Sequence, residues 1–288
     1  MKHISALLTA TVAYLLWALF LCQSAPNRNA IQILSSAISF RPMTYKQIYV
    51  PQGAPAGVVL EDSIFYQCPA AGSDPITLAA FQSLLAQEIF GYTRGITPSN
   101  FTDMADARHG SYVRDYERMY TVAQMNDTTA QEGGVPYWPV TRYVSTKVLF
   151  STAQAVVIEA RHYQYTGGAH GSLQQQRMSI QLGGVHSRVL QKEDILRNPA
   201  DSVPLIEAIK TKLLHKFKAH SEIELPLLVD PRELPLATNV SVAPDGLTFI
   251  YQPYEIAPYS EGFLQITLPY NTVRNYLKPQ IEQLFSSP

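Results

Sequence analysis

The chain has 288 residues, 46% hydrophobic and 16% charged, with 22 Lys and Arg against 23 Asp and Glu. So much apolar material excludes a largely disordered chain, and a net charge of −1 excludes the basic field that nucleic acid requires. Two cysteines, Cys22 and Cys68, are too few for a disulfide framework.

The first residues read as a targeting segment. Lys2 and His3 precede an apolar run from Ile4 to Cys22 that ends in the small and polar Ser24 and Ala25, the pattern of a signal peptide over residues 1–24. Cleavage after Ser24 leaves 21 basic against 23 acidic residues, a net charge of −2, and leaves Cys68 as the sole thiol, read as a buried small hydrophobe. Two alternatives stay open. Cys22 is a candidate lipid anchor, although Phe20 and Leu21 stand where a small residue is normally needed, and the run is close to the ~20 residues that span a bilayer. Membrane contact is expected through one of these two routes alone.

Residues 25–43 follow no sustained period and read as a linker, with the first strand-like stretch at Tyr45 to Val50. A strand is predicted at Ile64 to Gln67. Asp74-Pro75 then supplies an N-cap and a first-turn proline for a helix, whose Phe81, Leu84, Leu85 and Ile89 keep helical spacing up to Gly91. A second helix opens at Ser99, with Phe101, Met104, Ala105, Tyr112, Val113, Tyr116, Met119 and Tyr120 at three- and four-residue steps.

Strand character follows. Tyr143 to Phe150 and Gln154 to Tyr165 are rich in Val, Ile, Tyr and Thr and pair as a hairpin, and Met178, Ile180 and Leu182 mark a further strand. A third helix runs from Ser202, with Pro204 in its first turn and Leu205, Ile206, Ile209, Leu213 and Phe217 as its apolar stripe. Pro244-Asp245-Gly246 turns Asn239 to Val242 back against Leu247 to Tyr251, Leu264 to Leu268 adds a strand, and a last helix from Asn271 is interrupted at Pro279. Hairpins joined by short turns make the fold class α+β, mainly antiparallel, with packed helices and two intimately associated subdomains, 44–150 and 151–288.

Two segments stand out chemically. Tyr163 to Gly171 surrounds one ionisable side chain, His170, with Gly167, Gly168 and Gly171, as a tight connection between strands does, or as a contact site shaped by close backbone approach does. Tyr251 to Gly262 carries Tyr254 and Tyr259 on a loop stiffened by Pro253 and Pro258, and tyrosines on an ordered loop bury large area at small entropic cost.

Tyr165-Thr166-Gly167-Gly168-Ala169-His170-Gly171 followed by Phe249 to Tyr259 resembles the carboxy-terminal domain of the RsiV family, the extracytoplasmic part of lysozyme-sensing anti-sigma factors. The preceding region, including Ile89-Phe90-Gly91, is similar to the small domain of unknown function that accompanies it, and together they cover roughly Tyr45 to Phe285. The resemblance implies an exported envelope protein that captures a partner rather than an enzyme, the partner being lysozyme, another cell-wall-active protein, or peptidoglycan. On this reading the contact residues are Tyr165, Thr166, Gly167, Gly168, His170, Pro253, Tyr254, Glu255, Pro258 and Tyr259. Only Met1, Lys2 and His3 precede the apolar run, so a cytoplasmic sigma-binding domain is not expected.

An envelope hydrolase or transferase using His170 with a nearby carboxylate is the alternative. Neither a Gly-x-Ser-x-Gly elbow nor a phosphate-cradling Gly-x-x-x-x-Gly-Lys loop occurs. His162, His170 and His186 lack the close spacing of metal ligands, and no metal or cofactor is assigned. Mild acidity, with Glu255 and Glu261 around the loop, suits a basic partner.

Overall fold

A computed structural model describes residues 38–54, 57–72, 74–91, 95–125, 139–167, 169–198 and 202–285. The expected signal peptide, Gly168 and the lead up to residue 37 lie outside the described residues. The architecture is α+β, with two sheets of mostly antiparallel strands.

The first sheet has six strands in sequence order: β1 (Ile38–Tyr49), β2 (Leu60–Gly72), β3 (Val140–Ser151), β4 (Ala155–Tyr165), β5 (Ser172–Gln181) and the short β6 (Arg188–Val189). β1 therefore begins inside the expected linker. Its burial pattern explains the misreading: most of its residues face solvent, so the period-2 signal is faint, and the pairing with β2 along its whole length makes it a strand.

β2 and β3 are parallel, Ile64 opposite Val144. The crossover between them carries α1 (Pro75–Phe90) and α2 (Phe101–Met125), as a parallel pair requires. The Asp74 side chain caps α1 by accepting from the Ile76 and Thr77 amides, and Phe81, Leu85 and Ile89 turn inward. The boundary expected between 150 and 151 falls at the last residue of β3, inside its hairpin with β4, so the two expected subdomains share one sheet.

β4 is central and buried on both faces from Ala155 to Ala160. Val156, Ile158 and Ala160 pack with Phe81, Leu85 and Met104 under the helices, whereas Ala155 and Val157 face the second core. That second core holds the three-stranded sheet β7 (Asn239–Ala243), β8 (Gly246–Tyr251) and β9 (Leu264–Leu268). The short α3 (Lys192–Ile195) and α4 (Ser202–Phe217) contribute to it. So do α5 (Tyr270–Val273) and α6 (Pro279–Phe285), which begins at the proline where the last helix was expected to break. Cys68 is buried at 3% exposure.

Beyond Arg177, β5 gains β6 as an edge partner, but from Ser172 to Arg177 no described strand pairs with its outer margin. Side chains of the second sheet take that place. The Gln252 amide accepts from Gln175 N at 2.9 Å and donates to Gln175 O at 2.7 Å, and Asn239 Oδ1 accepts from Arg177 N at 3.3 Å. Ser179 Oγ both donates to Val242 O and accepts from Val242 N. These bonds fix where the loop after β8 sits relative to the end of β4. Among the described residues no helix is long and apolar enough to cross a membrane.

Candidate functional site

The two distinctive segments meet at one corner of the molecule. The connection after β4 delivers His170, and the loop between β8 and β9 delivers Tyr254 and Tyr259. The His170 and Tyr259 rings stack with centroids 4.1 Å apart and planes 19° from parallel, and Tyr254 tilts over both at 5.7 to 6.0 Å.

Hydrogen bonds hold this arrangement. Gly171 O, which can only accept, lies 3.1 Å from His170 Nδ1 and takes the Tyr259 hydroxyl at 3.0 Å. In the neutral ring the proton is therefore assigned to Nδ1, and Nε2 accepts from the Tyr254 hydroxyl at 3.1 Å. Burial, followed by the neighbouring Tyr254, pushes the Tyr259 phenol up, which keeps it protonated as the donor this bond needs.

Two glycines have separate reasons. Gly167 has φ of +98°, a region open to glycine. Gly171 has no such φ, but a Cβ there would stand 2.4 Å from the Tyr163 ring, so the backbone crosses that ring at a distance only glycine allows.

The opposing loop is closed on itself. Gln252 N donates to Glu255 Oε2 at 2.7 Å, Glu255 N to Gln252 O at 3.0 Å, and Tyr254 N to Ala257 O at 3.0 Å. Ile256 and Ala257 are buried as its anchor. Tyr254 at the tip has φ of +69°, sterically unfavourable for a tyrosine, yet stays 57% exposed. Pro258 precedes a 3-10 turn at Tyr259–Glu261.

A cavity of about 330 Å³ opens here, lined among others by Thr166, His170, Leu173, Pro253, Tyr254 and Tyr259. Of the residues expected in the site, Tyr165 is half-buried and outside this lining, as is Gly167. Glu255 caps its own loop by accepting from Gln252 N, and both it and Glu261 remain partly exposed beside the tyrosines. The hydrogen-bond partners of His170 among the described residues are Gly171 O and the Tyr254 hydroxyl, not the carboxylate that the hydrolase reading calls for. Nor do three His, Cys, Asp or Glu side chains gather into a metal-binding group among the described residues.

Sequence reasoning passed over a polar cluster between the sheets. Glu159 on β4 is 8% exposed and binds Arg161 at 3.0 Å, Gln175 at 3.0 Å and Arg177 at 3.4 Å, while Arg177 reaches Thr248 and Gln265 on the second sheet. The signal available was the charged Glu159 within the apolar run from Val156 to Ala160.

Residues 193–271 match the family model described as "Protein of unknown function (DUF3298)". No curated protein matches. The fold is similar to that of a crystallised DUF3298 family member from Bacteroides fragilis, at 20% identity and a TM-score of 0.75, covering 88% of this chain and 99% of that one. A DUF3298 family protein from Pseudomonas aeruginosa aligns at 18% identity with a TM-score of 0.54, covering 86% and 98%.

Proposed function

We propose that this chain is an exported, non-enzymatic binding protein of the cell envelope that holds its partner on the His170, Tyr254 and Tyr259 corner. The observation that carries this reading is Tyr254, a ring 57% exposed at the tip of a loop whose backbone and neighbours are already fixed. An aromatic anchor that needs no ordering on contact keeps most of its burial energy as affinity. His170 and Tyr259 extend the same apolar platform, and their polar atoms are satisfied by Gly171 O and Tyr254.

The partner we favour is a protein, lysozyme or another cell-wall-active enzyme, as the RsiV-like segments imply, with peptidoglycan the competing ligand. The test is equilibrium binding of the purified chain to lysozyme and, separately, to sedimented peptidoglycan. Tyr254→Ala is expected to weaken capture at least about tenfold, the scale of an interface anchor, with an unchanged melting temperature. Failure of the chain to bind either ligand, or equal binding by Tyr254→Ala, removes this reading.

A further inference from the structure

A second cavity, of about 270 Å³, meets the aromatic one at Gln164 and Ser172 but is built from different side chains on the helix-facing side of the sheet. Arg108 comes from α2 and Arg142 from β3, and both address one phenol. The Arg142 guanidinium carbon sits 3.6 Å from the Tyr112 ring centroid and that of Arg108 5.0 Å, with Arg108 Nε donating to the Tyr112 hydroxyl at 2.9 Å.

Two guanidiniums brought together repel one another unless something negative lies between them. The buried carboxyl below is Asp62, opposite Arg142 in the β2 and β3 register, 0% exposed, with His109 Nδ1 3.5 Å from its Oδ2. Burial raises its proton affinity against the opposing pull of Arg108, His109 and Arg142, so it offsets at most one of the two positive charges. His162 at the wall adds no charge at neutral pH, because burial and then Arg108 push it down to about 4.

The donors themselves are left over. Nε of Arg142 and Nη1 of Arg108 are buried without a hydrogen-bond partner among the described residues. A buried donor left without a partner is destabilising, and an arriving acceptor removes that cost. Guanidinium forks match the oxygens of carboxylate and phosphate groups.

We infer that the cavity between Arg108 and Arg142 is an oxyanion site that takes the carboxylate or phosphate group of a ligand. The inference stands on residues that the aromatic corner does not use, so it survives if the partner proposed for that corner is wrong.

The test is an NMR titration of the full chain, labelled with 15N-arginine, by inorganic phosphate and separately by acetate, each at constant ionic strength with chloride. Saturable shifts of the Arg108 and Arg142 Nε–H signals are expected, and the anion that saturates first identifies the phosphate or the carboxylate source. Arg142→Gln is expected to weaken that binding at least about tenfold, and Arg142→Lys, which keeps charge but loses the fork, by less. Arg108→Gln serves the same purpose if Arg142→Gln fails to fold, and Tyr254→Ala is expected to bind the anion normally. Absence of a saturable shift with both anions, or undiminished binding by the glutamine variants, overturns the inference.

Discussion

The side-chain amide of Gln252 lies against the backbone of Gln175 as a neighbouring strand would, accepting its N–H at 2.9 Å and giving an N–H to its carbonyl at 2.7 Å. Gln175 is 2% exposed, so water cannot readily replace either bond. Gln252→Ala is expected to destabilise the protein by about 1–3 kcal/mol for each polar group left unpaired. Urea denaturation measures the loss, and faster hydrogen exchange at the Gln175 amide locates it.

Gly171 is a steric requirement. Gly171→Ala places a methyl group 2.4 Å from Tyr163, and overpacking of this kind costs about 1–3 kcal/mol. Adding Tyr163→Ala in the same chain makes room for the methyl group. The double variant is expected to be more stable than the sum of the two single losses allows, a non-additivity that thermal melts can read.

Glu159 holds two arginines of unequal exposure, Arg177 at 13% and Arg161 at 35%. Glu159→Ala is expected to cost about 3–5 kcal/mol, because it strands the buried cation of Arg177. Arg161→Ala removes only the more exposed partner and is expected to cost less than about 1 kcal/mol. Equal losses in urea denaturation would show that the cluster does not work as an ion pair.

His162 makes stability depend on pH. Its folded value of about 4 lies below the ~6.5 of an exposed imidazole, so the unfolded chain takes up a proton that the fold refuses between those values. The stabilisation is complete above about pH 6.5 and is lost as pH falls toward 4. Between pH 7 and 5 the wild type is expected to lose on the order of 2 kcal/mol more than His162→Gln, read from urea denaturation at each pH.

Much of the corner could be read from sequence because its signals are local. Asp74-Pro75 announced the start of α1, and the turn at Pro244-Asp245 set Ala243 opposite Gly246. The glycines around His170 and the prolines around Tyr254 marked two stiff connections, and His170 Nε2 meets the Tyr254 hydroxyl across 84 positions of sequence. What escaped notice depends on register between distant strands. Asp62 faces Arg142 only because β2 and β3 run parallel across a two-helix crossover, and no local period records that pairing. Glu159 meets Arg177 across the β4 and β5 hairpin, where the pairing depends on the exact register of two strands joined by an irregular connection. The hydrogen bond from Gln252 N to Glu255 appears only once the loop has closed.

The clips on β5 have one more consequence. A strand margin with free amides and carbonyls invites a second molecule to add itself, the first step toward swapped dimers or fibre growth. With Gln252 on Gln175 and Asn239 on Arg177, that margin is occupied by short side chains that offer nothing further to extend. The protein thereby joins its two sheets and, by the same contacts, blunts this stretch of β5 as a template for a second strand.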